Sequence, residues 1–235
     1  MGINLISLKH HLRHESGGAD EVDVTALSGE LADDQKAKFF DRFREFIDWV
    51  SLDGYTTGGD TPTVAARGAS IYLATGALLD NDAWAYSTDL YRDLCATGLV
   101  ITVEWVIHDL SSITAVTHWM RLSATIEDPP EPNSIHFGFY ILNGLVYSSA
   151  GNTNKAVSQQ PTGITLSTGT QHTYLKAVYT VGTDIKFYVN DVLKVTETLV
   201  LPTLATDFYH LLQIRTTEAV AKNVSLCRTL LERTR

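Results

Sequence analysis

Hydrophobic and polar residues alternate in short segments along most of the chain between residues 67 and 235. Alternation with period two, interrupted by turn residues, is typical of antiparallel β-strands that bury one face. The pattern predicts about eleven strands, roughly twice the number in a typical sheet, and therefore two sheets packed face to face. The predicted strands are residues 69–74, 83–87, 99–107, 115–125, 135–142, 145–149, 173–181, 185–189, 192–198, 208–215 and 222–230.

Two dipeptides predict tight hairpins between these strands. Asn143-Gly144 separates FGFYIL from LVYSS, and both residue types tolerate the positive φ that a type I′ turn requires. Asn190-Asp191 separates IKFYV from VLKV in the same way. Hairpins without helical crossovers favour antiparallel sheets with a core between them. The residues expected in that core, or else their alternating neighbours, are Val103, Trp105, Phe137, Phe139, Tyr179 and Phe187.

The period changes between residues 33 and 53, where apolar residues recur every three or four positions. This spacing predicts one amphipathic α-helix over residues 34–52. Four of its residues also alternate at spacings of four and three, which is the pattern of a coiled-coil seam. They are Phe39, Phe43, Phe46 and Val50. The helix is therefore expected either to dock on its own sandwich or to join chains in a homo-oligomer, with a trimer favoured.

Outside the helix, the N-terminal third of the chain is poor in core-forming patterns. Glycines interrupt every apolar run in residues 1–32, which predicts an extended attachment arm that needs a partner surface. Residues 54–66 are rich in Gly, Thr and Pro and are expected to form a linker. The predicted organisation is thus arm (1–32), helix (33–53), linker (54–66) and β-sandwich (67–235).

Charge and cysteine content narrow the classes of partner. The chain carries 27 acidic and 18 basic residues, a net charge of −9, so we expect no nucleic-acid partner and no attachment to an anionic membrane. No apolar run approaches the roughly 20 residues that a membrane span needs. Cys95 and Cys227 lie outside any CxxC arrangement. Two buried free thiols are expected, with one long-range disulfide as the alternative.

Residues 14–35 contain a His, a GGADE core and an LSGELADDQ tail. This combination resembles a motif near the start of many tailed-bacteriophage fibre and appendage proteins. The resemblance implies a structural protein of the virion, assembled in the host cytoplasm, whose partners are other virion proteins. It places particle attachment on His14, Gly17, Gly18, Asp20, Glu21, Leu27 and Leu31.

A second resemblance covers residues 172–202, with the sequence HTYLKAVYTVGTDIKFYVNDVLKVTETLVLP. A strand ending in Tyr, a Gly-containing turn and the FYVNDVLK hairpin resemble the second half of a concanavalin-like or laminin-G-like jelly roll. The resemblance implies an all-β fold, an antiparallel jelly-roll β-sandwich, preceded here by the extended arm and the amphipathic helix. Many glycan-binding modules and phage appendages share this fold, which by itself does not assign a function.

Few residues of the chain are candidates for catalysis or metal binding. Glycosidases of this fold resemble one another in an ExDxxE strand, which this chain lacks. Glu104 and Asp109 are five residues apart and point to opposite faces of a strand, so they cannot converge as the pair of carboxylates that hydrolysis requires. We therefore expect no enzymatic activity, no catalytic residues and no cofactor. His10 and His14 lack a further ligand at normal spacing, so no metal site is expected either.

Recognition of a host-surface glycan is the binding function that the sequence favours. The polar segment 148–162 is expected to form a long loop, a type of segment that commonly carries recognition on a rigid sandwich. Aromatic side chains near the acidic turn Asp80-Asn81-Asp82 are expected to stack on sugar rings, or else to pack in the core. The candidate glycan contacts are Trp84, Tyr86, Asn152, Asn154 and Gln159. A stand-alone carbohydrate-binding module and a polysaccharide depolymerase are the alternatives to a tail-fibre or capsid-decoration protein.

Overall fold

The structure is a computed structural model that describes residues 43–47, 55–60, 62–67, 70–87, 99–125, 134–152, 154, 156–202, 208–227 and 229–234. Within these residues the chain forms strands only. In chain order they are β1 Phe43–Ile47, β2 Tyr55–Gly59, β3 Thr63–Arg67, β4 Ser70–Ala74, β5 Asp82–Ser87, β6 Val100–Leu110, β7 Val116–Ser123, β8 His136–Leu142, β9 Leu145–Gly151, β10 Val157–Thr165, β11 Gly169–Thr180, β12 Asp184–Val189, β13 Val192–Glu197, β14 Tyr209–Thr216, β15 Asn223–Leu226 and β16 Thr229–Thr234.

The strands form two antiparallel sheets. The seven-stranded sheet, called here the front sheet, has the order β10-β9-β8-β7-β14-β5-β2. The nine-stranded back sheet has the order β13-β12-β11-β6-β15-β4-β3, with β16 also pairing β6 and β1 pairing β16. The predicted jelly-roll sandwich is thus confirmed in the described residues, which contain no helix long and apolar enough to cross a membrane.

The core lies between the two sheets, and the six residues expected there are all buried. Aromatic rings join the sheets across it: Trp105 of the back sheet contacts Phe139 of the front sheet with ring centroids 6.0 Å apart. Phe187 contacts the same Phe139 at 5.5 Å, and Phe137 contacts Tyr179 at 5.4 Å. Alternation left two possible faces for each of these strands, and the face that carries the six named residues is the buried one.

Both predicted hairpins are present. Asn143 has φ 50° and Gly144 φ 79° in the turn from β8 to β9, and Asn190 and Asp191 have φ 50° and 61° in the turn from β12 to β13. The Asn143 side chain also accepts a hydrogen bond from the backbone N–H of Val116 at 3.3 Å. Positive φ at both central positions is what selected these residue types.

The predicted helix is wrong over the part that the structure describes, because Phe43–Ile47 forms β1 and pairs with β16. Aromatic residues suit a strand as well as a helix, and the ladder offered by β16 decides between them. The rest of the helix, with Phe39 and Val50, lies outside the described residues. Both the coiled-coil seam and the docking of this segment on the sandwich stay predictions.

Two segments expected to be irregular are strands instead. The linker expected at residues 54–66 contributes β2 and β3, whose Thr and Val residues pair with β5 and β4. The loop expected at residues 148–162 is mostly the β9–β10 hairpin, with only a short turn at its tip. Polar composition misled the prediction at both places, because an edge strand needs little apolar surface.

Candidate functional site

The outer surface of the front sheet, called here the front face, is the candidate site. Strand residues alternate between the core and this face, because successive side chains point to opposite sides of a strand. Residues that alternate with the core positions of β5, β14, β7, β8 and β9 therefore point away from the core. Several of them are aromatic or polar and yet largely buried, which gives this face the character of a site.

Five of these residues form one line across the sheet. Strand pairing places Trp84 opposite Gln213, Gln213 opposite Trp119, Trp119 opposite Tyr140, and Tyr140 opposite Tyr147. With strands about 4.8 Å apart, the line runs for roughly 19 Å perpendicular to the strands. We call its four rings, those of Trp84, Trp119, Tyr140 and Tyr147, the aromatic row; each of them is partly buried.

Ring contacts hold the aromatic row in place. The centroids of Trp119 and Tyr140 lie 5.6 Å apart, and those of Tyr140 and Tyr147 lie 5.9 Å apart. At the other end, Trp84 stacks on Tyr86 at 5.2 Å with an interplanar angle of 21°. Such contacts restrict the rings to few orientations, so the row is a preorganised apolar surface.

Glycines make room for two of the large side chains on this face. A Cβ on Gly58 of β2 would overlap the indole ring of Trp84. A Cβ on Gly151 of β9 would lie 2.7 Å from Nδ1 of His136. The Trp84 ring occupies the space of a side chain at position 58, and the backbone oxygen of Ser134 together with the His136 ring occupies it at position 151.

A buried polar pair lies in the same line. Gln213 Nε2 donates a 2.7 Å hydrogen bond to Asp82 Oδ2, and the backbone N–H of Asp60 donates to Asp82 Oδ1 at 3.2 Å. Gln213 is 3% exposed and Asp82 4%. Gln213 Oε1 and Trp84 Nε1 are both buried, and neither has a hydrogen-bond partner within the described part of the chain.

A second polar group lies on β8. His136 Nδ1 is 2.7 Å from the backbone oxygen of Ser134, which can only accept, so Nδ1 carries the proton and Nε2 accepts from the Ser149 hydroxyl at 2.8 Å. Burial and the nearby charge of Arg121 lower the pKa of His136 to about 3. An imidazole with so low a pKa is a poor general base near neutral pH, so its role here is to orient Ser149.

The candidate glycan contacts from the sequence divide into two groups. Trp84 and Tyr86 face away from the core, and Gln159 of β10 pairs with Ser149 on the same face. Asn152 instead builds the β9–β10 turn, because its side-chain oxygen accepts from the backbone N–H of Asn154 at 3.0 Å and of Ala156 at 3.2 Å. That oxygen is therefore engaged by the turn and is not available to a ligand.

Sequence reasoning missed Trp119, Tyr140, Tyr147 and Gln213. The signal that could have found them is their phase, since each is flanked in its strand by residues that are buried in the core, such as Met120 beside Trp119 and Leu212 beside Gln213. The residues expected to attach the chain to a particle lie outside the described residues: His14, Gly17, Gly18, Asp20, Glu21, Leu27 and Leu31. Among the residues that the structure describes, no three His, Cys, Asp or Glu side chains converge as a metal site requires.

No protein-family profile and no curated protein sequence matches the chain, but solved structures do. An endo-1,3-β-glucanase from Streptomyces sioyaensis aligns with a TM-score of 0.60 at 9% identity, over 83% of this chain and 97% of its own. A β-glucanase from Bacillus licheniformis aligns with a TM-score of 0.56 at 12% identity, over 82% and 98%. The carbohydrate recognition domain of Emp46p, in its metal-free form, aligns with a TM-score of 0.53 at 8% identity, over 79% and 90%.

These structures share the jelly-roll sandwich with this chain, and at such identities the likeness shows the fold alone. They nevertheless correct one expectation. The sequence predicted a protein without enzymatic activity, and this is contradicted by the matches, because proteins named as β-glucanases carry the same fold. The absence of one strand motif was too narrow a basis for excluding a class of protein that is built on this sandwich.

Proposed function

We propose that the chain binds carbohydrate on the front face, with the aromatic row as the contact surface. The row is the observation that carries the proposal: four partly buried rings lie in register across five strands, with the buried amide of Gln213 among them. The carbohydrate recognition domain and the β-glucanases that share the fold support it.

The chemistry of the row suits a sugar chain. A sugar ring presents an apolar C–H face and a rim of hydroxyls, so it needs a flat apolar surface beside a few hydrogen-bonding groups. The aromatic row supplies the flat apolar surface, and the Gln213–Asp82 pair supplies hydrogen-bonding groups. Its length of roughly 19 Å, from strand spacing, accommodates several sugar rings in a chain that crosses the strands.

Substitution of Trp119 tests the proposal, since Trp119 lies at the middle of the row. A multimerised preparation of the whole chain is first screened on a glycan array, and the affinity of the best ligand is then measured by calorimetry. Trp119→Ala should weaken binding at least tenfold, because a stacked ring contributes about 1.5 kcal/mol or more. Tyr174→Ala is the matched control: Tyr174 is exposed on the outer surface of the back sheet, and its loss should leave affinity unchanged.

Two results would count against carbohydrate binding: no array signal from the multimer, or equal affinity for Trp119→Ala and the wild type. The bound glycans should also be incubated with the protein and assayed for new reducing ends. Release of reducing ends would extend the proposal from binding to cleavage. The shared fold with β-glucanases is the reason to make this measurement.

We further propose that residues 1–32 attach the chain to a bacteriophage particle as a homo-oligomer, so that several front faces are displayed together. The resemblance of residues 14–35 to phage appendage proteins supports this placement. Multiple copies would raise avidity by about 10² to 10⁴ without new contacts. Co-sedimentation with purified particles tests it: the whole chain should sediment with them, and a chain without residues 1–32 should stay in the supernatant. Equal sedimentation of both would contradict attachment through the arm.

A further inference from the structure

The side-chain amide of Gln213 has one orientation on the front face, and Asp82 sets it. An ionised carboxylate only accepts hydrogen bonds, so the atom of Gln213 that lies 2.7 Å from Asp82 Oδ2 must be the nitrogen. The other carboxylate oxygen of Asp82 is held by the backbone N–H of Asp60. The carbonyl oxygen of Gln213 is thereby turned away from Asp82.

Two buried polar atoms here have no hydrogen-bond partner among the residues that the structure describes. Gln213 Oε1 has no donor there, and Trp84 Nε1 has no acceptor. The two residues are directly opposite each other on β14 and β5. A buried acceptor and a buried donor left unmatched are each unfavourable, so the site is complete only when something else bonds to them.

A hydroxyl group can satisfy both atoms. It donates one hydrogen bond and accepts others, whereas a carboxylate has no proton for Gln213 Oε1 and an ammonium group has no lone pair for Trp84 Nε1. Charge does not decide between these groups, because the cationic Arg215 is directly opposite Asp82 in the pairing of β14 with β5; hydrogen bonding does.

We propose that Gln213, oriented by Asp82, accepts a hydrogen bond from one hydroxyl of a neutral sugar ring, and that Trp84 Nε1 donates to the same ring. The proposal rests on the carbohydrate-binding function above and adds the ligand class: at this position the front face selects a hydroxyl-bearing neutral sugar over a uronic acid. Gln213 is then the specificity-determining residue, and Asp82 is its positioning residue.

The first test compares ligand classes on the whole chain. The probes are neutral gluco-, galacto- and manno-oligosaccharides and, beside them, oligouronates of equal length. Preference for a neutral oligosaccharide supports the proposal, and preference for an oligouronate overturns it. Failure to bind any probe overturns it together with carbohydrate binding itself. If the chain binds a probe, Trp119→Ala abolishes this binding and Gln213→Leu leaves it unchanged, the result would overturn this inference alone.

The second test uses Gln213→Leu, which keeps much of the side-chain volume and removes both hydrogen-bonding atoms. Affinity for the best neutral oligosaccharide should fall about tenfold, because the variant loses one hydrogen bond from the ligand to a buried acceptor. Monodeoxy derivatives of that ligand sharpen the result: the wild type should discriminate against one of them about tenfold, and Gln213→Leu should not. Equal discrimination by both proteins would overturn the proposal, and near-ultraviolet circular dichroism checks that the variant is folded.

The third test addresses Asp82. In Asp82→Asn the new amide can donate to Gln213, so the Gln213 amide is free to turn and present its nitrogen. The ratio of affinities for neutral over acidic oligosaccharides should then fall severalfold. A purely structural role for Asp82 would lower both affinities in proportion and leave the ratio unchanged, which would overturn its assignment as a positioning residue.

Discussion

At the scale of single residues, three buried histidines are expected to make the stability of the fold sensitive to acid. Burial lowers the pKa of His118 to about 4 and of His210 to about 3, and burial with the charge of Arg121 lowers that of His136 to about 3. Each is neutral when folded, whereas in the unfolded chain it binds a proton below its ordinary pKa of 6.5. The unfolded state therefore binds more protons between pH 6.5 and about 4, so stability present above pH 6.5 is lost as pH falls through this window.

His118 allows this sensitivity to be tested cleanly, because neither of its ring nitrogens has a hydrogen-bond partner in the described residues. Each histidine should contribute about 1.4 kcal/mol per pH unit to the slope of unfolding free energy against pH. His118→Leu should reduce the slope below pH 6 by about a third, measured by urea unfolding at several pH values. An unchanged slope would mean that His118 does not titrate on unfolding.

Gly58 is a residue at which adding a single carbon atom, the Cβ of alanine, should disturb the Trp84 ring. Gly58→Ala places a methyl group in the space of the Trp84 ring, and overpacking of this kind costs about 1 to 3 kcal/mol. We expect a lower melting temperature and an altered tryptophan emission spectrum. Thr57→Ala, on the same strand with its side chain exposed, should change neither; a similar loss in both variants would attribute the effect to the strand and not to the ring.

Part of the site could be predicted from residue type alone, because aromatic and amide residues are candidates for sugar contacts whatever strand they belong to. Trp84 and Tyr86 were identified in this way. Trp119 and Gln213 were not, because alternation groups the residues of a strand into two faces without telling which partner residues lie opposite. Strand pairing brings Trp84, Gln213 and Trp119 together from three separate strands. That register is a property of the sheet and is absent from any one segment.

At the scale of elements, the edges of the two sheets are joined through Glu197 of β13. Its Oε1 accepts from the backbone N–H of Leu199 at 2.7 Å and of Val200 at 2.9 Å, and its Oε2 accepts from Gln160 Nε2 of β10 at 3.0 Å. Burial alone would raise the pKa of this carboxyl. The hydrogen bonds that it accepts, from Ser158 as well, outweigh burial and lower the pKa.

Removing this carboxylate should loosen the two edges. Glu197→Ala leaves four donors without this acceptor, those of Leu199, Val200, Gln160 and Ser158. We therefore expect the free energy of unfolding to fall by about 3 kcal/mol, with a smaller loss for Glu197→Gln. Hydrogen exchange should show faster exchange at β10 and β13 before the central strands are affected. Thr196→Ala, an exposed neighbour on β13, is the control. Uniform exchange across both sheets would contradict a role confined to the edges.

Element prediction succeeded where the strand buries one face and failed where it does not. Central strands such as β6, β8 and β12 have alternating apolar residues because they cover the core. The edge strand β10, with the sequence VSQQPTGIT, has one buried position among nine and therefore looks like a loop. Between residues 43 and 47 the aromatic spacing fits a helix, and only pairing with β16 identifies the strand.

At the scale of the whole molecule, the strands of both sheets lie in residues 43–234. A chain lacking residues 1–32 is therefore expected to keep the urea midpoint of the whole chain and its affinity for glycan in monomeric form. Circular dichroism and calorimetry make the comparison. A truncated chain that unfolds at markedly lower urea would show that the arm belongs to the fold, against the domain organisation predicted from composition.

The jelly roll was predictable as a whole because many short strands with hairpin turns leave few other architectures. The resemblance of residues 172–202 added the type of sandwich. What could not be predicted is which outer surface carries the candidate site, because both sheets have one. The front face differs in its line of rings, and this depends on the order β9-β8-β7-β14-β5, in which strands distant in sequence are neighbours.

The aromatic row crosses the strands instead of following one of them, and this has a mechanical consequence. A sugar chain lying along it would touch β5, β14, β7, β8 and β9 at once and act as a cross-brace that resists their sliding apart. In a single-molecule pulling experiment, bound glycan should therefore raise the force at which the front sheet ruptures.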